Sequence, residues 1–216
     1  YLELLREACT KFNVHLIADE IAVGFGRTGT MFGFEQAKIT PDIICLSKGI
    51  TGGYMTLSTI LTTDDIYDAF YDEYEKLNAF LHSHSYTANP IACSAANATL
   101  DLFKKKKVVE NNKKLSLHMK KCFESLNDHP HVSDVRQKGM VLAIELVKNK
   151  KKRIAYDWKE RRGIKAYLHG LKNNVLMRPL GNVLYFMPPY VITKKEISFV
   201  SEIMKEGVDE ATKKSS

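Results

Sequence analysis

The chain has 216 residues, of which 44% are hydrophobic and 26% are charged, a composition typical of one large globular domain or two small ones. This composition excludes a disordered tail, and no apolar run is long enough to cross a bilayer, which excludes an integral membrane protein. Lysine and arginine outnumber aspartate and glutamate by 32 to 25, a net charge of +7. The lysine runs at 104–107 and 148–153 are not interleaved with aromatic residues that would stack on bases, so we expect solvated surfaces and no nucleic-acid partner.

The four cysteines, Cys9, Cys45, Cys93 and Cys122, are scattered, without a C-x-x-C pair or a histidine at zinc-finger spacing. Three of them lie in apolar stretches, so we expect buried free thiols and a cytoplasmic location, where thiols stay reduced. The first six residues form neither a signal peptide nor a transit peptide and look like the middle of an amphipathic helix. We therefore expect the chain to be a piece of a longer one.

The spacing of apolar residues predicts alternating helices and strands in the first part of the chain. In order, the predicted elements are a helix at 2–12, a strand at 14–18, a glycine-rich loop at 24–33, a strand at 42–47, a strand at 55–62, a helix capped by Asp64 and running towards Leu77, and helices at 91–107 and 109–126. The turn-forming cluster at 127–130 ends the last helix and is the predicted boundary between a domain at 1–127 and a domain at 128–216.

The second part of the chain is richer in predicted strands. Its predicted elements are strands at 132–136 and 140–147, a helix at 156–173, a hairpin with strands at 175–178 and 183–187, and a closing helix from Thr193. This order indicates an α/β fold in which an α/β layer is followed by a smaller α+β unit.

The segment Gly24-Phe25-Gly26-Arg27-Thr28-Gly29 matches the G-x-G-x-x-G pattern of dinucleotide-binding folds. Two details oppose that interpretation. Asp19 and Glu20 separate the predicted strand from the first glycine, and no long helix opens at Gly29. We therefore do not expect a dinucleotide site.

Asp19 and Lys48 form a more informative pair, because each follows a predicted apolar strand. The carboxyl ends of parallel strands share one edge of a sheet, and α/β sheets bind ligands at that edge. A lysine that forms a Schiff base and a carboxylate that keeps the pyridine nitrogen protonated are what pyridoxal phosphate requires. On spacing alone, a plain ion pair at the edge of the sheet remains the alternative.

The segments at 16–29 and 46–49 resemble the signature of class III (fold type I) pyridoxal-phosphate aminotransferases. The resemblance covers the D-E pair, the glycine loop and the distance to the lysine. It implies the C-terminal part of the large cofactor-binding domain of fold type I, followed by a small α+β C-terminal domain. It also implies pyridoxal phosphate as the cofactor and a cytoplasmic homodimer whose site is shared between subunits.

The resemblance also implies a role for each matched residue. Asp19 matches the partner of the pyridine nitrogen, and Lys48 matches the lysine that forms a Schiff base with the cofactor, so these two are the expected catalytic and cofactor-binding residues. Lys48 is also an expected contact of the substrate. Ser85, in the segment 82–90, matches a hydroxyl donor to the cofactor phosphate of the other subunit. The remaining matches are substrate-binding residues, namely Arg27, Arg178 and Tyr185.

Within that class, the segments at 51–59 and 178–190 resemble a branch that acts in biotin synthesis. In this branch the amino group of S-adenosylmethionine is transferred to 8-amino-7-oxononanoate, which gives 7,8-diaminononanoate. Two alternatives remain open. The first is a class III aminotransferase that uses lysine or an ω-amine as donor, and the second is an inactive fragment, because the resemblance covers only the C-terminal half of a family member.

Two other groups of residues were weighed as functional sites. His82 and His84 have no third ligand at suitable spacing, so no metal site is expected. The aromatic residues Tyr185, Phe186 and Tyr190 are typical of a core, although the resemblance favours a substrate contact for Tyr185.

Overall fold

The structure is a computed structural model that describes residues 1–213, so residues 214–216 of the predicted second domain lie outside the described residues. The chain divides into two compact units, Tyr1–Val109 and Glu110–Ser216. The predicted α/β class is confirmed, whereas the domain boundary at 127/128 stays a prediction. No helix within residues 1–213 is both long enough and apolar enough to span a membrane.

The first unit contains a three-stranded sheet with the strand order β1-β2-β3. Its elements are helix α1 (Leu2–Lys11), strand β1 (Ile17–Asp19), strand β2 (Ile43–Leu46), strand β3 (Thr59–Thr62), helix α2 (Asp64–Asp68) and helix α3 (Pro90–Lys106). Strands β1 and β2 are parallel, with Asp19 opposite Cys45, and β3 is antiparallel to β2. The carboxyl ends of β1 and β2 therefore lie at one edge of this sheet.

Asp42 fixes the opposite end of the two parallel strands. One of its oxygens, Oδ2, accepts the backbone N–H of Leu16 at 2.6 Å and the guanidinium of Arg6 at 2.7 Å. The Leu16 N–H and the Arg6 guanidinium lower the pKa of Asp42 below its usual value of 3.8. The same carboxylate thus ties α1, the entry to β1 and the entry to β2 together.

A small apolar core lies between the glycine loop, the end of β2 and α3. Its buried members are Phe25, Leu46, Ile50 and Ala96. The small side chains of α3 allow this close packing, and Asn89 caps the helix by accepting the N–H groups of Ile91 and Ala92 at 3.0 and 3.2 Å.

The second unit contains an antiparallel sheet with the strand order β4-β5-β8-β7, and β6 pairs with β5. Its elements are helix α4 (Val108–Phe123), strands β4 (Val132–Lys138), β5 (Val141–Asn149) and β6 (Ile154–Ala155), helix α5 (Arg162–Lys172), strands β7 (Arg178–Leu180) and β8 (Val183–Phe186), and helix α6 (Lys194–Thr212). The core contains fully buried side chains from α4, β5 and α6, such as Phe123, Ile144 and Val208.

The start of α5 packs directly on the β7–β8 hairpin. A Cβ atom on Gly163 would lie 2.4 Å from the carbonyl oxygen of Gly181 and 2.6 Å from Cβ of Pro179, so only glycine fits there. The predicted start of the closing helix is confirmed, because Thr193 and Glu196 form a reciprocal capping box at the beginning of α6.

The helix predicted from Asp64 towards Leu77 is wrong in length, because α2 ends at Asp68, and its N-cap is Thr63. Asp72 explains why no helix continues. Its carboxylate accepts the backbone N–H of Glu73 at 2.8 Å and the ammonium of Lys76 at 2.7 Å, which favours a local turn.

Two predicted boundaries in the second unit are also wrong. The first strand of the hairpin is 178–180, not 175–178, because Leu180 pairs with Val183 and the turn contains only Gly181 and Asn182. Helix α5 begins at 162, not 156, because the preceding residues form a short turn capped by Asp157.

Arg162 links the start of α5 to the end of α6. It is only 6% exposed, donates to the carbonyl oxygens of Ala211 and Lys213 at 2.9 and 2.7 Å, pairs with Glu160, and lies 4.6 Å from the ring centre of Tyr156. Its neighbour Arg161 is exposed.

We predict that Arg162→Ala destabilises the second unit by about 3 kcal/mol, because it leaves Glu160 and two helix-terminal carbonyl groups without their donor. Urea unfolding followed by the fluorescence of Trp158, the single tryptophan of the chain, measures this. Arg161→Ala is the matched control and should cost less than about 0.5 kcal/mol. Equal unfolding midpoints for the two variants would contradict the prediction.

Candidate active site

Asp19 and Lys48 lie at the same edge of the first sheet. Asp19 ends β1, Lys48 lies two residues beyond the end of β2, and the pairing of the two strands extends to a hydrogen bond from the Glu20 N–H to the Cys45 carbonyl at 3.0 Å. Both side chains are exposed in this chain. Neither takes part in an ion pair among the described residues, so the geometry differs from the plain ion pair considered above.

Lys48 opens a short 3₁₀ turn, Lys48–Thr51, with an unusual backbone. Its φ angle is +43°, in the left-handed region that side chains other than glycine rarely adopt. Two hydroxyl groups fix the turn and the loop after it: Ser47 donates to the Leu57 carbonyl at 2.8 Å, and Thr51 donates to the Met55 carbonyl at 2.6 Å. Such strain is typical of functional sites, where the surrounding packing maintains it.

Asp19 has one engaged oxygen and one available oxygen. Its Oδ1 accepts the Ile21 N–H at 3.0 Å, and Oδ2 has no hydrogen-bond partner among the described residues. The bond to Ile21 fixes the direction of the carboxylate at the end of the strand. A cationic N–H group brought to this edge would therefore find a carboxylate oxygen ready to accept it.

Glu20, next to Asp19, holds the glycine loop at both of its ends. Its carbonyl oxygen accepts the Gly24 N–H at 2.9 Å, and its buried carboxylate accepts the Phe34 N–H at 3.1 Å. Within the loop, the N–H groups of Gly26 and Gly29 donate to the carbonyl oxygens of Met31 and Gly26. These donors are used internally, so the loop does not present them to a dinucleotide phosphate.

Arg27 and Ser85 belong to the same unit but to different kinds of surface. Arg27 is partly buried within the glycine loop. Ser85 lies in an exposed turn, in which the Tyr86 N–H donates to Nδ1 of His84 at 3.1 Å and Ala88 has a strained φ of +57°.

No group of three histidine, cysteine, aspartate or glutamate residues within 1–213 is arranged to hold a metal ion.

Arg178 and Tyr185 face each other in the second unit, because they are paired across β7 and β8. Both border a cavity of about 530 Å³ whose other walls are mostly apolar and include Met187, Ile192 and Phe199. Phe186, the next residue, packs against Phe123 in the core, with ring centres 6.0 Å apart. A guanidinium and a phenol beside apolar walls suit an aliphatic ligand that ends in a carboxylate.

Glu20 and Phe25 contribute to the geometry of this site without being predicted as functional residues. The sequence does contain a signal for Phe25. A large aromatic residue between Gly24 and Gly26 is unexpected in a solvent-exposed glycine loop, and its presence indicates a buried contact. The structure buries Phe25 to 3% exposure, against the residue that follows Lys48.

Comparison with known proteins shows the family of this chain. The sequence profile of the Aminotransferase class-III family matches residues 1–208. The adenosylmethionine-8-amino-7-oxononanoate aminotransferase of Helicobacter pylori is 46% identical over 99% of this chain and 48% of its own length. The crystal structure of the Methanocaldococcus jannaschii enzyme of the same name has a TM-score of 0.94 and 40% identity, and the match covers 97% of this chain and 49% of that chain.

A more distant structure has the same fold. The omega transaminase from Pseudomonas jessenii, solved in complex with PMP, has a TM-score of 0.92 at 27% identity, and the match covers 98% of this chain and 47% of that chain. The chain thus spans about half the length of the relatives that it matches. It belongs to the class III aminotransferase family and has the fold of the corresponding part of the fold type I pyridoxal-phosphate transferases.

Proposed function

We propose that this chain supplies the catalytic lysine and the cofactor-binding aspartate of an aminotransferase that converts 8-amino-7-oxononanoate to 7,8-diaminononanoate with S-adenosylmethionine as the amino donor. The observation that carries the proposal is the position of Asp19 and Lys48 at the shared carboxyl edge of two parallel strands. The 46% identity to the Helicobacter pylori enzyme of that activity supports the choice of substrates.

The residues at this edge fit pyridoxal phosphate. Within residues 1–213, Oδ2 of Asp19 has no partner and could accept a protonated ring nitrogen, and the exposed amine of Lys48 pairs with no carboxylate. When bound, this cofactor supplies an electron sink for bond changes at the amino-bearing carbon. Asp19 would hold the proton on the ring nitrogen, because the negative charge of a carboxylate stabilises the pyridinium.

Lys48 would act both as the covalent attachment point and as the proton carrier. With its Nζ atom free, Lys48 would accept a proton from the amino-bearing carbon of the substrate as a general base and would return it as a general acid. The hydrogen bonds of the Lys48–Thr51 turn and the loop after it fix the backbone from which Nζ would reach these positions. Holding a reacting group in a favourable geometry lowers the barrier of a reaction.

Arg178 and Tyr185 would select the acceptor. The carboxylate of 8-amino-7-oxononanoate lies at the far end of an aliphatic chain from its keto group. Arg178 would bind this carboxylate in a two-pronged pair, Tyr185 would contact the substrate close by, and the apolar residues of the cavity suit the methylene groups. Arg27 is proposed as a further substrate contact on the glycine loop.

We also propose a homodimer in the cytoplasm. The segment 82–90 is exposed almost throughout, as a loop that reaches a second subunit would be, and Ser85 would donate its hydroxyl to the cofactor phosphate there. All four cysteines are free thiols, which is consistent with a reducing compartment.

The solved omega transaminases at 27% identity favour, as a second candidate, a class III enzyme with an ω-amine donor.

Lys48→Ala tests the cofactor assignment. We expect the visible absorbance of lysine-bound pyridoxal phosphate to disappear, and aminotransferase activity to fall about 100-fold or more, because no other amine replaces Nζ. The measurement uses a joined protein in which the N-terminal half of the Helicobacter pylori relative precedes Tyr1. Lys38→Ala, at another exposed lysine of the first unit, is the control and should leave the spectrum intact. An unchanged spectrum in Lys48→Ala would refute the assignment.

Arg178→Ala tests the acceptor assignment. It should weaken use of 8-amino-7-oxononanoate by about 2 kcal/mol, the size of a charged hydrogen bond, and Arg178→Lys should restore only part of this because an ammonium lacks the planar fork. Single-turnover kinetics of each half-reaction in the joined protein measure both effects. Wild-type rates and affinities in both half-reactions would make Arg178 a structural residue.

A further inference from the structure

Phe25 is a bulky residue held in a strained conformation inside the glycine loop. Its φ angle is +55°, in the left-handed region, yet its side chain is only 3% exposed. A conformation of this kind persists only where the surrounding contacts compensate for it. The contacts of Phe25 therefore indicate the role of this strained backbone conformation.

These contacts join three elements of the first unit. The ring of Phe25 meets the ring of Phe32 edge-on at 5.7 Å between centres, and the ring of Phe103, on α3, at 6.3 Å. Phe25 also belongs to one buried cluster with Leu46, at the end of β2, and Ile50, in the turn that Lys48 opens. The loop, the strand end and the helix thus share one aromatic anchor.

The most direct contact is with Gly49, the residue after Lys48. A Cβ atom on Gly49 would lie 2.9 Å from Cβ and Cδ2 of Phe25 and 3.0 Å from Cγ, and these are the three atoms nearest to it. The φ angle of Gly49 is not in the left-handed region, so its backbone would accept alanine. Glycine is needed at this position because the side chain of Phe25 occupies the space.

We propose that Phe25 is a positioning residue for Lys48. By packing on Gly49 and Ile50, it holds the Lys48–Thr51 turn and keeps the backbone of Lys48 in its left-handed conformation, which fixes the starting point of the lysine side chain at the sheet edge. The proposal rests on the proposed function only in that Lys48 is the reacting amine. The packing of Phe25 on the Lys48–Thr51 turn involves only residues of this chain and does not depend on the cofactor.

Hydrogen exchange of the chain without cofactor tests this hold. The turn contains hydrogen bonds from the Ile50 N–H to the Ser47 carbonyl and from the Gly52 N–H to the Gly49 carbonyl, both at 3.1 Å. In Phe25→Ala and in Gly49→Ala, the amides of residues 50–52 should exchange about tenfold faster, because the first change removes the ring atoms that pack on Gly49 and the second pushes the ring away from the turn. Gly49→Ala retains the ring of Phe25 and keeps the test valid if Phe25→Ala fails to fold.

Phe103→Ala is the matched control, since it removes a ring from the same cluster and leaves the Phe25 atoms nearest to Gly49 in place. If exchange at 50–52 is no faster in Phe25→Ala and Gly49→Ala than in Phe103→Ala, the proposal is overturned.

A second measurement, on the joined protein, follows the pH at which the visible absorbance of lysine-bound pyridoxal phosphate changes. We expect this pH to shift in Phe25→Ala and Gly49→Ala and to stay at the wild-type value in Phe103→Ala. No difference among the three variants would overturn the proposal. Faster exchange at 50–52 in a chain whose joined wild type binds no cofactor at Lys48 would refute the proposed function and still support the hold of Phe25 on the turn.

Discussion

The parallel pairing of β1 and β2 is the constraint on which the rest of the candidate site depends. It places Asp19 opposite Cys45 and brings Lys48 to the same edge of the sheet. Successive side chains of a strand point to opposite faces, so a shift of one residue in this register would move the Asp19 side chain to the opposite face of the sheet. Asp42 secures the register from the other end, because its carboxylate binds the entry to β1 and the Arg6 side chain of α1.

The site is also built from conformations that are unfavourable by themselves. Lys48 and Phe25 both have positive φ angles, and Glu20 buries a carboxylate to hold the glycine loop. Each costs free energy, which the aromatic contacts of Phe25 and the hydrogen bonds of the loop offset locally. These contacts join the glycine loop to the lysine turn, while the side chain of Lys48 stays exposed.

The sequence alone predicts the parts of the fold that local chemistry decides. The apolar runs before Asp19 and Lys48 identify the two strands, and Thr193 marks the start of α6 through its capping box. The length of α2 was not predictable from periodicity, because the hydrogen bonds of Asp72 override it. The hairpin strand at Arg178 begins three residues later than the apolar pattern predicts, because the two-residue turn at Gly181 and Asn182 pairs Leu180 with Val183. The role of Phe25 arises from contacts between segments far apart in the chain.

The central claim is that Asp19 and Lys48 act on one cofactor from neighbouring strand ends. Nuclear magnetic resonance of the joined protein, loaded with pyridoxal phosphate carrying ¹⁵N in its ring, measures the protonation of the ring nitrogen directly. We predict a protonated nitrogen in the wild type and an unprotonated one in Asp19→Asn, with the cofactor still attached to Lys48 in both, since an amide does not stabilise the pyridinium charge. The same ring-nitrogen signal in both proteins would contradict the account.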